Sequence, residues 1–316
     1  MERARRVVRL GISACLTGEK TRYDGRHKLD PFLVETLGRY VRFVPVCPEV
    51  EAGLGVPREA MRLDATGGDV RLVTVRTGRD MTPLVEQALP AVLDRLEKED
   101  LWGFIFKSRS PSCGPVAAIH GPRRGTKGRG VFARLFHERF PLLPAEDEGR
   151  LRDPDIREDF IGRMFTLKRW RDLVETGMDR PRLTDFHTRH KLLMLSRSRS
   201  HYREMGRLVA ASAAYAPKDL FLRYRRLLLG GLTRRATVSK HVFVLSHIMG
   251  YFKKRCTADE LREMEEKLAA FRAGLVPLGV PLARVHHYAR KYKVSYLEDQ
   301  FYVNPHPAEV MLLYHS

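Results

Sequence analysis

Cysteine and tryptophan are scarce in this chain, with four and two among 316 residues. Four cysteines cannot build a disulfide framework for a chain of this size. In a reducing compartment they are free thiols, catalytic groups or metal ligands. No apolar run approaches the roughly 20 residues of a membrane-spanning helix, so no membrane association is expected. The opening MERARRVVRLGIS is basic but lacks the apolar block and small-residue cleavage site of a secretory signal, and a cytoplasmic location is expected. Acidic side chains are also short, with 38 Asp+Glu against 57 Lys+Arg and a formal charge of +19. The shortage is uneven. Residues 1–150 hold 26 basic and 20 acidic side chains, whereas residues 181–316 hold 24 and 11, a net +13. A nucleic-acid partner for the C-terminal part is the functional reading of that split. A solvated basic surface is the plain one.

What is present is strand–helix alternation in the first half. RRVVRLGIS (5–13), VRFVPVC (41–47), VRLVTVRTG (70–78) and LWGFIFK (101–107) read as strands. LDPFLVETLGRY (29–40), a segment from Thr82-Pro83 to Lys98, and GVFARLFHERF (130–140) read as helices. This order predicts a three-layer α/β domain over 1–150 with a mainly parallel sheet. The polar stretch 141–155 marks its edge, and a helical linker spans 151–184. Residues 185–316 carry helical periodicity throughout, with DFHTRHKLLMLSRSRSHYREMGRLVA as one helix, and predict an all-helical domain.

Cys15, Cys47 and Cys113 each follow a predicted strand, at the carboxyl ends where parallel sheets gather their ligands. Three thiolates suit zinc with an open position, or an iron–sulfur cluster with one iron lacking a protein thiolate. A single nucleophilic cysteine and three uninvolved thiols stay open as well. Glu49, two residues after Cys47, offers an acid or base. Ser108, Ser110 and Ser112 bring hydroxyls beside Cys113, and Gly114 permits close backbone approach. Arg22, Tyr23, Asp24 and His27 follow Cys15 and offer a polar frame for a substrate. Cys256 has no comparable placement. HGPRRGTKGRG (120–130) is glycine-rich but lacks phosphate-loop spacing, and reads as a basic loop.

SACLTGEKTRYDG (13–25), VCPEVEAGLGVPRE (46–59) and SRSPSCG (108–114) resemble the three signatures of the thiouracil desulfidase domain, over about residues 8–150. Residues 185–305 resemble the helical domain often fused behind it, an architecture similar to bacterial desulfidases acting on 4-thiouridine in tRNA. The resemblance implies a [4Fe–4S] cluster on Cys15, Cys47 and Cys113 with one iron not ligated by cysteine, Glu49 as the catalytic acid–base residue, and a catalytic serine, Ser110 before Ser108. Arg22, Tyr23, Asp24, His27, Ser112 and Gly114 become candidate substrate contacts. The implied activity is non-redox removal of sulfur from 4-thiouridine in tRNA, giving uridine and sulfide, with free thiouracil or thionucleosides as the alternative substrates. For the helical domain, Arg189, Ser196, Arg199, Arg203 and Arg207 would form one cationic face. His187, His190 and His201 would serve as caps or phosphate contacts. The aromatic and cationic run 285–305 suits stacking on RNA bases, or equally an ordinary terminal helix packed through its tyrosines.

Overall fold

The computed structural model describes residues 8–305 and 309. The start of the first expected strand, at 5–7, lies outside the described residues. The chain divides into two compact units, with the change at Phe165/Thr166.

The first unit is α/β. Its main sheet has the order β2-β1-β5-β8, formed by β1 (Val8–Ser13), β2 (Val41–Val46), β5 (Gly103–Phe106) and β8 (Ala145–Asp147). Every pairing in it is parallel. Such strands are buried on both faces, which is why Leu10, Ile12, Phe104, Ile105 and Phe106 are fully buried. Between β2 and β5 run α1 (Pro48–Glu51), β3 (Met61–Asp64), β4 (Arg71–Thr74) and α2 (Thr82–Lys98). After β5 come β6 (Ala117–His120), β7 (Lys127–Gly128) and α3 (Val131–Arg139).

Phe104 and Phe106 alternate onto one face and meet Phe132 and Phe136 of α3. Val85, Leu89, Val92 and Leu96 of α2 belong to the same apolar core. Burying so many large side chains at about 25 cal/mol per Å² is the main term holding this layer in place. Gly11 is required by that packing, because a Cβ there would stand 2.3 Å from the Phe104 ring.

The expected mainly parallel sheet is present, and a second small sheet, β4-β3-β6-β7, combines antiparallel and parallel pairs. One expectation needs revision. Residues 29–40 do not form a regular α-helix. They make a π-helical turn at Phe32–Thr36 followed by a 3-10 turn at Leu37–Arg39, started by buried Asp30, whose Oδ1 accepts from the Leu33 N–H at 3.2 Å.

α4 (Pro154–Thr176) runs through the change of unit. The second unit is helical: α5 (Arg180–Arg197), α6 (Arg199–Ala210), α7 (Pro217–Leu232), α8 (Val238–Met249), α9 (Ala258–Arg272), α10 (Gly279–Lys291) and α11 (Ser295–Glu298). The single helix expected over 185–210 is two. Ser198 is extended, at φ −153° and ψ 113°, and its hydroxyl accepts from the His201 N–H at 3.4 Å as the cap of α6. A serine-rich run competes with helix in this way, by offering the backbone a side-chain acceptor.

That break splits the expected cationic face. Arg189 lies on α5, whereas Arg199, Arg203 and Arg207 lie exposed on α6, and Ser196 is buried. His187 and His190 are not phosphate contacts. His187 Nδ1 meets the Tyr224 hydroxyl at 3.2 Å, and His190, fully buried, accepts from Arg169 Nε at 3.2 Å. In the run 285–305, Tyr288 is in the core and donates to Glu263 at 2.6 Å, and Tyr292 donates to Glu260 at 2.6 Å. Those rings are committed to packing rather than to stacking on bases. Thr257 forms a capping box with Glu260 at the start of α9.

Candidate active site

β1 is flanked by β2 and β5, with Ser13 opposite Val46 and Ile12 opposite Ile105, so three strand ends finish at one level. The chain leaves each end with a cysteine. Cys15 lies in the 3-10 turn Ala14–Thr17, Cys47 immediately precedes α1, and Cys113 ends the loop after β5. All three line one cavity of about 420 Å³, together with Glu49, Ser108, Ser110, Ser112, Arg22 and Tyr23. Asp24, His27 and Gly114 do not line it. Asp24 instead accepts from Arg22 Nε at 3.2 Å, and His27 is exposed. Gly114 permits loop closure, since a Cβ there would meet the backbone of Ser110 at 2.7 Å.

Burial dominates the electrostatics of the thiols. It pushes Cys15 up to about 12, with the other two cysteines adding like-charge repulsion, and Cys113 up to about 11. Cys47 is also raised, again chiefly by burial. A thiol held neutral in this way is a poor nucleophile at neutral pH, which argues against a lone catalytic cysteine. Ser13, itself accepting from the Lys107 N–H at 2.9 Å, aims its hydroxyl at Cys113 Sγ at 3.6 Å.

No three His, Cys, Asp or Glu side chains among the described residues converge closely enough to hold a single metal ion. Thiols are the soft donors that zinc and iron–sulfur clusters both take, and Cys15, Cys47 and Cys113 line one cavity. The hydroxyl of Thr21, on the same cavity wall, is buried with no hydrogen-bond partner among the described residues. An orphan of this kind costs free energy unless something bound beside it supplies a partner.

Glu49 is held at both carboxylate oxygens. The Ser112 hydroxyl donates to Oε1, and Arg58 donates through Nε to Oε2 at 2.5 Å and pairs with the same oxygen through Nη2. Ser112 is buried and lies 3.1 Å from Ser110, Oγ to Oγ. Because the Ser112 proton is committed to Glu49, Ser110 is the donor in that second bond, and it accepts in turn from the Cys113 N–H at 3.2 Å. The Ser108 hydroxyl is turned elsewhere, donating to Glu148 at 2.8 Å. Of the three serines, Ser112 touches Glu49 directly.

Among the cavity residues that the sequence reading did not single out are the cations Arg58 and Lys107. A basic side chain in a basic protein carries no signal by itself. Lys107 is ion-paired with Glu148.

Comparison with known proteins places residues 10–148 in a family model described as 2-thiouracil desulfurase. Residues 191–307 match a family described as a protein of unknown function, DUF1722. An uncharacterized protein of Escherichia coli (strain K12), YbgA, is 33% identical over 155 residues, covering 49% of this chain and 91% of that protein. A solved structure titled [4Fe-4S]-dependent thiouracil desulfidase TudS is 27% identical, covers 46% of this chain and 94% of its own, and has a TM-score of 0.39.

Proposed function

Because this chain belongs to the 2-thiouracil desulfurase family through its N-terminal domain, with an all-helical domain fused behind it, we propose that it removes sulfur hydrolytically from a thiopyrimidine, with a free base or nucleoside as substrate. The observation that carries this reading is the assembly of three cysteines, Glu49 and Ser112 around one cavity lying wholly within the first unit.

Cys15, Cys47 and Cys113 are the residues that would hold a [4Fe–4S] cluster. When bound, a cluster with one iron free of cysteine supplies Lewis acidity toward the thiocarbonyl and a place for the departing sulfur. The chain's own groups manage water and protons. Glu49 takes a proton from water as the oxygen adds to the ring carbon. The C–S bond then breaks as the proton held at Glu49 passes to the sulfur, and the hydroxyl proton of the added oxygen is taken by Glu49 in turn as the carbonyl forms, leaving as the second proton of hydrogen sulfide. Atoms balance as thiocarbonyl plus water giving carbonyl plus hydrogen sulfide, with no electron transferred. Ser112 and Ser110 keep the carboxylate oriented through the cycle. Arg22 and Tyr23 lie at the cavity wall, Tyr23 exposed, where a pyrimidine ring has an aromatic face to meet.

The charge split favours a second reading, 4-thiouridine within tRNA. Arg225, Arg226, Lys253 and Lys254 of the helical unit are exposed, and a free base has no backbone phosphates to engage them. Anaerobic sulfide release by the full-length cluster-loaded protein separates the two readings. The comparison is 2-thiouracil, free 4-thiouridine and purified thiolated tRNA, at low and moderate salt. The free-base reading requires turnover of the small substrates that is insensitive to salt and to R225E/R226E. Preference for tRNA that falls with salt and with that double variant would establish the second reading. No turnover of any of the three would sink both.

A further inference from the structure

We infer that Arg58 is a positioning residue that holds Glu49 by Oε2 alone, so that Oε1 is the oxygen that exchanges the proton. The inference rests on the reading of Glu49 as the proton acceptor. It goes beyond that reading by naming the reacting atom and the group that selects it.

A carboxylate has two acceptor directions on each oxygen. At Oε2 sits the Arg58 cation, through Nε at 2.5 Å and through the Nη2 ion pair, which lowers the proton affinity of that oxygen. At Oε1 the donor is a neutral hydroxyl, that of Ser112. The oxygen beside Ser112 is therefore the one left to take a proton from water. The guanidinium is itself anchored, because Nη1 donates to the Gly55 carbonyl at 3.0 Å and Nη2 to the Thr21 carbonyl at 2.7 Å. Nη2 also stands 4.0 Å from Cys47 Sγ. With side-chain exposures of 9% for Arg58 and 13% for Glu49, the pair is shielded enough for this geometry to persist. A planar fork fixes a carboxylate in both angle and plane, which a lysine, as a point charge, does not.

The local sequence explains the arrangement. Arg58 returns along GLGVPRE after the short α1 has carried Glu49 away from β2, so one side chain spans the turn and closes it. Without that fork Glu49 keeps its neighbour Ser112 but gains rotational freedom. Misplacing a reacting group by about 1 Å costs up to about 100-fold in rate.

The test uses full-length protein loaded with cluster anaerobically, with 2-thiouracil and 4-thiouridine as probes. R58Q and R58K should each lower kcat by about 10- to 100-fold, with KM within about two-fold and iron content unchanged. In addition, E49Q/R58Q should be no slower than E49Q alone, because Arg58 acts only through Glu49. An unchanged kcat in R58Q while E49Q is slow would overturn the inference and leave Glu49 as the base. Independent, multiplicative losses in the double variant would overturn it too. So would loss of iron in both R58Q and R58K, which would make Arg58 a support of Cys47. Wild-type turnover in E49Q would remove the parent reading, and the inference with it.

Discussion

Acid should unfold the helical unit before the α/β unit, and buried histidines are the reason. His187 and His241 are held down to about 4, from an ordinary 6.5, mainly by burial and secondarily by nearby cations. His190 is also well below its ordinary value, again chiefly by burial. A depressed histidine is neutral in the folded state and protonates only on unfolding, so its contribution is complete above pH 6.5 and is lost as pH falls toward 4. At pH 5 an unfolded histidine of pKa 6.5 gains about 2 kcal/mol by binding its proton, and a folded one near 4 gains almost nothing. His187 and His241 together remove about 4 kcal/mol, a large share of the stability of an ordinary domain, and His190 acts in the same direction. The first unit carries one equivalent group among its described residues, His137, also near 4 through burial.

Trp170, stacked on Tyr224 with ring centroids 5.4 Å apart, provides the fluorescence signal for the helical unit. Urea unfolding followed at pH 7.5, 6 and 5 should show the Trp170 transition moving to lower urea, by an amount that H187Q reduces by about a third. A transition independent of pH over this range, or one that H187Q leaves untouched, refutes the reasoning.

C15S, C47S and C113S should each reduce bound iron in anaerobically loaded protein, whereas C256S should not. Full iron in any of the first three, or a loss confined to C256S, contradicts the assignment. Among the serines, S112A should slow sulfide release more than S110A, since Ser112 donates to Glu49 directly and Ser110 only through it. The expected cost is about ten-fold for S112A, the size of one hydrogen bond to a charged group. The reverse order, measured on cluster-loaded protein of equal iron content, would return the principal role to Ser110.

The sequence by itself determined the parts of this protein that depend on local pattern. Short β-branched and apolar runs located β1, β2 and β5, and apolar residues at helical spacing after Thr82-Pro83 located α2, because burial and helix-start signals act over a few neighbouring residues. The placement of Cys15, Cys47 and Cys113 after strands was equally local, and parallel topology then brought the three to one cavity. Tertiary structure alone decided which serine meets Glu49, because Ser108, Ser110 and Ser112 are chemically alike and differ only in where the loop turns them. It alone revealed Arg58, whose partners lie at Glu49, Gly55 and Thr21, separations no periodicity encodes. It also withdrew His187, His190, Tyr288 and Tyr292 from the surface roles their composition suggested. Amphipathic side chains serve a core or a ligand equally well, and only the three-dimensional packing of helices settles which face each one turns inward.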